Sequence, residues 1–282
     1  MGILVAKRYP TNLFFGLADH TYVECSTGKR GWSCWGGKSG GTALRAAAGS
    51  THRADLIAGA DEKAGIACYA INGVCHQCAN RILFPAGALV RGARGYKVSE
   101  ALYGPYGRVR GALGTCKAPF DQHPGVTDDL AECATGGPRA GEALESDPDR
   151  RYVEGAARIY ESFAAFGARS LEDRDLIHLH VELFRYMVRY TLGDSDRVPM
   201  EKLQGVRARE EERRLEWERR FFEGEIGTEL FVEELNALTV DFQKSLAGML
   251  RVEDYTDLLG LIPGDFVVLV DPDIAKEAYP GR

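Results

Sequence analysis

An α+β fold, with a small sheet in the first half and helices in the second, is predicted by three observations. The first half holds 23 of the 33 glycines, the second half carries apolar residues at helical spacing, and a Gly/Pro-rich stretch divides them. Glycine at that density breaks long helices, so residues 1–145 should form short strands and irregular loops, and residues 151–282 a helical domain. Between them, Gly136-Gly137-Pro138 and Ser146-Asp147-Pro148-Asp149 mark the expected linker. At 282 residues the chain is long enough for two domains that each bury a core.

In chain order, strands are expected near 12–17, 20–26, 31–35, 65–71 and 87–91, with a hairpin turn at Thr27-Gly28-Lys29-Arg30. Between the last two strands lies a short helix over 74–84. Gly73 supplies the turn into it, Cys78, Ala79, Ile82 and Leu83 recur at helical spacing, and Pro85 ends it. Tyr103-Gly104-Pro105-Tyr106-Gly107 reads as a turn with two aromatic rings, a binding rim or, more simply, loop packing. Beyond the linker, Tyr152, Ala156, Ile159, Tyr160 and Phe163 make a helical stripe ended by Gly167. Leu176, Leu179, Leu183, Met187 and Val188 make a second, ended by Gly193. A third helix starts at Pro199 and carries the charged run Arg207–Arg220, read as a solvated face laced with Glu and Arg pairs, with a partner-binding surface as the alternative. A fourth carries Phe231, Leu235, Leu238, Phe242, Leu246 and Met249 on one face. Last, Phe266 to Val270 reads as a buried strand, which needs a sheet and so should return to the edge of the first half.

Charge narrows the classes of partner. Residues 1–145 carry 16 Lys/Arg against 12 Asp/Glu, and residues 146–282 carry 19 against 29, so a +4 half faces a −10 half. Docking of the two halves uses that asymmetry, and the acidic helical half is a candidate surface for a protein partner. No cluster of basic residues with interleaved aromatics points to nucleic acid. The apolar run after Met1 is too short for a secretory signal, and no segment approaches the roughly 18 apolar residues of a membrane span, so a cytoplasmic protein is expected. The cysteines number seven, an odd count, and favour free thiols, a metal site or a catalytic thiol over a disulfide framework.

Cys75 is the leading chemical candidate, because the first turn of a helix has unpaired amides and a positive dipole end that favour a thiolate. An unperturbed thiol, with a pKa of about 8.5, is only slightly ionised at neutral pH and needs such help or a base. His20, on the alternating strand Asp19-His20-Thr21-Tyr22-Val23-Glu24-Cys25, is the candidate base. His76 projects about 100° away from Cys75 on the helix and is the poorer one. Glu24 shares a strand face with His20 and is the candidate to orient the imidazole, although four residues of strand span about 13 Å. Gln77 is a candidate donor to an oxyanion. Cys75-His76-Gln77-Cys78 is also a C-x-x-C pair. With Cys25 and Cys34 it makes a possible four-thiolate zinc site in a non-enzymatic interaction module, though eight residues separate Cys25 from Cys34 where a zinc knuckle has two to four. A redox pair is the third reading of the same motif. His178 and His180 lie about 200° apart on a helix, so one should face the core and the other solvent. His52 and His123 receive no role.

His20-Thr21-Tyr22-Val23 and Val74-Cys75-His76-Gln77-Cys78, followed by Ala79-Asn80, resemble the histidine strand and cysteine helix of the circularly permuted papain-like enzymes of the NlpC/P60 superfamily. The lecithin retinol acyltransferase-like branch is the most similar. The likeness covers residues 12–85. That branch opens its helix with Asn-Cys-Glu-His-Phe, where this chain has Val74, His76 and Gln77, and its second polar residue a dozen positions past the histidine finds only Trp32 and Ser33. The resemblance implies a permuted papain-like sheet-plus-helix domain at 1–145, joined to the helical domain with its terminal strand at 151–282. It implies a cysteine-dependent hydrolase or acyl transferase, peptidase- or amidase-like, acting on an amide, peptide or ester bond without a cofactor. Cys75 would be the nucleophile and His20 the base.

Overall fold

The computed structural model describes residues 2–9, 16–25, 31–32, 40–49, 51, 54, 69–108, 148–164 and 172–282. Its architecture is α+β, as expected. Strands β1 (Gly2–Tyr9), β2 (His20–Cys25), β3 (Gly31–Trp32) and β4 (Thr42–Gly49) form an antiparallel sheet in the order β3-β2-β1-β4. β1 pairs with β2 from Leu4 opposite Cys25 to Tyr9 opposite His20, and its pairing with β4 shifts register between Ala6 and Lys7.

Of the expected strands, 20–26 is β2, and 31–35 is represented among the described residues by β3. The expected strands at 12–17 and 65–71 lie largely outside the described residues, and the turn at 27–30 wholly so. β1 and β4 were not expected. β1 turns Leu4 and Ala6 inward and leaves Ile3 exposed, a period-two pattern carried by only two buried side chains. β4 is rich in alanine, a strong helix former, and here the pairing with β1 overrides that local preference.

The expected strand at 87–91 is not one. Gly87, at φ 62°, turns the chain, the Ala88 N–H donates to the Leu83 carbonyl, and the Val90 N–H donates to the Asn80 side-chain oxygen at 2.8 Å. The run is buried as its apolar character demands, but a side chain takes the place of a sheet neighbour.

Helix α1 (Cys75–Leu83) follows the predicted bounds closely, and Pro85 falls in a single 3-10 turn, Phe84–Ala86. Then come α2 (Tyr96–Tyr103), α3 (Pro148–Ala164), α4 (Asp173–Leu192), α5 (Met200–Phe222), α6 (Thr228–Ala247), α7 (Val252–Leu259) and α8 (Pro272–Ala278). Most of each stripe on α3, α4 and α6 is buried as read from the sequence, α4 ends at Gly193, and Met249, read as part of the last stripe, lies exposed beyond the end of α6 at Ala247. Among the described residues, no helix is long and apolar enough to cross a membrane.

The two halves share one continuous apolar core, which runs from Leu4 and Val23 through Ile82, Leu102 and Tyr160 to Leu235, Val267 and Ala275. The segment 266–270 does return to the first half, through a single parallel bridge between Leu17 and Val268 rather than as a strand. Ala18 N–H donates to the Val268 carbonyl at 3.0 Å, and Val268 N–H to the Gly16 carbonyl at 2.9 Å. Side-chain amides of α6 satisfy the neighbouring backbone. Gln243 bonds both polar groups of Val267, and Asn236 both of Val270.

Helix α5 departs furthest from expectation. Arg207, Glu211, Arg214 and Glu218, read as a solvated face, are fully buried. Their burial is tolerated because they pair with one another and with a cation from the first half, Arg108.

Candidate active site around Cys75

The approach to α1 is a tight turn. Ala70 holds a positive φ of 64°, unusual for a residue with a side chain, and its N–H donates to the Gly73 carbonyl at 2.8 Å. Residues 107 and 108 brace this turn from outside. Arg108 N–H donates to the Asn72 carbonyl at 2.6 Å, and the Asn72 side chain returns a bond to the Arg108 carbonyl at 3.1 Å. Gly107, at φ 94°, has no room for a side chain, since a Cβ there would stand 2.6 Å from the Asn72 oxygen.

This turn delivers Cys75 to the first position of α1, which packs on β2. The Cys75 sulfur lies 3.7 Å from the Asp19 carbonyl oxygen and also faces the backbone N–H and hydroxyl of Thr21. It therefore rests against the two residues that flank His20. Cys75 is a free thiol, 8% exposed. Burial pushes its pKa up to about 11, outweighing the donors of Thr21 and the backbone N–H groups of Cys75 and His76 that favour the thiolate. The expectation of a depressed thiol pKa is thus corrected, because the helix terminus that would stabilise the charge is itself removed from water.

His20 is buried, and its ring lies tilted at 42° against Tyr9, its cross-strand partner, with ring centroids 4.8 Å apart. Glu24, the candidate orienting residue, is engaged elsewhere. Its carboxylate pairs with Lys7 at 2.5 Å and accepts from the Tyr22 hydroxyl at 3.0 Å, and these partners hold its pKa below the usual range.

Gln77 does not offer a donor to an oxyanion. Its Oε1 accepts the Val74 N–H at 3.1 Å, and its Nε2 donates to the Ser99 hydroxyl and to the Gly104 carbonyl, both at 3.2 Å. Both N–H bonds are committed, so Gln77 caps α1 and ties it to α2. His76 is likewise a structural group. Its Nε2 lies 2.9 Å from the Asp19 carbonyl, which only accepts, so Nε2 carries the proton, and Nδ1 lies 2.8 Å from the Ser99 hydroxyl. Burial lowers its pKa to about 4 and keeps the ring neutral. The Asp19 side chain completes the frame, accepting from Arg8 at 2.6 Å and from the Arg94 N–H at 2.9 Å.

Cys78 is disulfide-bonded, so in this structure it offers no thiolate to the four-cysteine zinc set. The side chains of Cys25 and Cys34 lie outside the described ones. Among the described residues, no group of three or more His, Cys, Asp or Glu side chains is arranged to hold a metal.

The two tyrosines of the 103–107 turn pack inward. Tyr103 donates to the Ala70 carbonyl at 2.9 Å, and Tyr106 lies against Phe84 and Tyr160. What sequence reasoning missed is the buried ionic cluster beneath them. Arg108 donates to Glu211, to Glu218 and, at 3.0 Å, to the Ile71 carbonyl. Arg207 pairs with Glu210 and Glu211, and Arg214 with Glu210 while its guanidinium lies over the Tyr103 ring. His180 Nδ1 lies 3.0 Å from Glu211. The charge run on α5 was visible in the sequence, but its partner Arg108 is an isolated residue a hundred positions away.

Comparison with known proteins returns no matching family model, no matching curated protein and no matching solved structure.

Proposed function

We propose that the protein is a cysteine-dependent hydrolase or acyl transferase of papain-like, circularly permuted type, acting on an amide, peptide or ester carbonyl, with Cys75 as nucleophile and His20 as base. The supporting observation is the seat of α1 on β2. A sulfur at a helix start lies against the residues on either side of a histidine, although 54 positions intervene. Chain connectivity alone gives no reason for these segments to meet.

A raised thiol pKa requires general-base chemistry rather than a resting thiolate. His20 takes the Sγ proton as sulfur adds to the carbonyl carbon, and the Cys75 N–H at the helix terminus faces the developing oxyanion. The imidazolium then protonates the leaving nitrogen or oxygen. Water, activated by the same ring, cleaves the thioester and restores the thiol, and another acceptor in place of water gives acyl transfer. The burial of Cys75 favours a second reading, a structural thiol in a non-enzymatic protein that binds a partner through its acidic helical half.

An acyl-trapping experiment separates the two. Incubation with p-nitrophenyl acetate followed by peptide mapping should place an acetyl group on Cys75, and His20→Ala should abolish it with the circular dichroism spectrum unchanged. No adduct on Cys75, or an equal adduct in the His20→Ala protein, overturns the enzymatic reading.

A further inference from the structure

We propose that Cys75 and Cys78 form a thiol–disulfide exchange site at the start of α1, in which the free thiol of Cys75 attacks the sulfur of Cys78. Two observations carry it together. Cys75 is a free thiol, and Cys78, three residues on along the same helix, is disulfide-bonded to a cysteine whose side chain lies outside the described ones. Three residues of helix bring the two back to nearly the same side of α1, and both are nearly buried, at 8% and 7% exposure.

Helix geometry puts such a pair within reach. Residues three apart have Cβ atoms about 5–6 Å apart. A disulfide spans about 3.5–4.5 Å between Cβ atoms, so a slight tightening of the first turn closes the bond. At that end of α1 the Gln77 and Cys78 N–H groups both turn back to the Val74 carbonyl, at 3.1 and 3.4 Å.

The exchange balances without an outside oxidant. The Cys75 thiol gives its proton to the buffer, and the resulting thiolate pair forms the Cys75–Cys78 bond. The bond from Cys78 to its present partner breaks, and the partner sulfur leaves with the electron pair and takes up a proton. One disulfide is consumed and one is formed. Burial of the Cys75 sulfur keeps its thiolate scarce near neutral pH, which holds the pair in the resting arrangement. The product caps Cys75 and exposes a different thiol. Its consequence for catalysis, a nucleophile switched off by its own neighbour, rests on the proposed function, whereas the exchange does not.

The test is differential alkylation of the full, folded chain, with one isotopic iodoacetamide before reduction and the other after. In chain held folded near neutral pH and then given the first label in denaturant, Cys75 should carry the first label and Cys78 the second. After incubation at about pH 10, where the thiolate is populated, Cys75 and Cys78 should both carry the second label and a third cysteine the first. In Cys75→Ser, Cys78 should keep its original partner at both pH values. Retention of the first label on Cys75 after the alkaline incubation, with the far-ultraviolet spectrum intact, overturns the proposal, as does loss of the original Cys78 partner in Cys75→Ser. Exchange without an acetyl adduct on Cys75 would remove the enzymatic reading alone.

Discussion

Arg108 and Glu211 meet with both side chains fully buried, the Arg108 Nε donating to the Glu211 carboxylate at 2.9 Å. The same guanidinium reaches Glu218 and the Ile71 carbonyl, so one residue joins α5 to the turn that opens α1. Around it, three arginines and three glutamates, Arg108, Arg207, Arg214, Glu210, Glu211 and Glu218, balance in charge. Nearby cations hold the Glu211 carboxyl well below the usual carboxylate range, against its burial.

Removing Arg108 strands two buried carboxylates. Arg108→Met should therefore destabilise the fold by about 3–5 kcal/mol, and Arg108→Met combined with Glu218→Leu by less. Denaturant midpoints read the effect, and amide exchange in 71–83 should quicken in the single variant. A wild-type midpoint in Arg108→Met would show that the cluster contributes nothing net.

Acid should weaken the fold in part through a buried imidazole. His76 binds a proton near pH 4 in the folded chain and near 6.5 when unfolded, so between these values the unfolded state holds more protons. Its contribution is complete above pH 6.5 and is lost as pH falls toward 4, on the order of 3 kcal/mol in all. His180, buried with a lowered pKa, acts in the same direction. Urea midpoints of wild type and His76→Gln at about pH 7 and pH 5 test this. A pH dependence equally steep in both proteins would mean that His76 is not its source.

Alkylation of native Cys75 should be slow at neutral pH and should quicken about tenfold per pH unit toward its pKa of about 11. Thr21→Val removes a hydroxyl that favours the thiolate and should slow the reaction further at any given pH. A rate already at its plateau near pH 7 would mean a preformed thiolate, contrary to the burial seen here.

Where local chemistry decides, the sequence could be read. Pro85 and the apolar spacing of Cys78, Ala79, Ile82 and Leu83 bounded α1, and His178 and His180 divide between solvent and core as helical rotation demands. The stripes of α3, α4 and α6 were legible because burial on one helix face imposes a period that needs no knowledge of the partner.

The remainder depended on what lies opposite each residue. Gln77 could serve an oxyanion or cap a helix, and only the positions of Val74, Ser99 and Gly104 commit it to the cap. A helix start favours a thiolate when water reaches it, so the thiol state of Cys75 follows from the closeness of β2 rather than from its place on α1. The run Arg207–Arg220 satisfies the pattern of a solvated face, yet a single distant cation, Arg108, together with internal pairing, makes burial of those charges tolerable. Sequence alone determined which residues could form helices and where the reactive groups stood along the chain. Tertiary structure decided which of those groups meet water and which meet each other, because desolvation and pairing act across space between segments whose separation in sequence carries no sign of their contact.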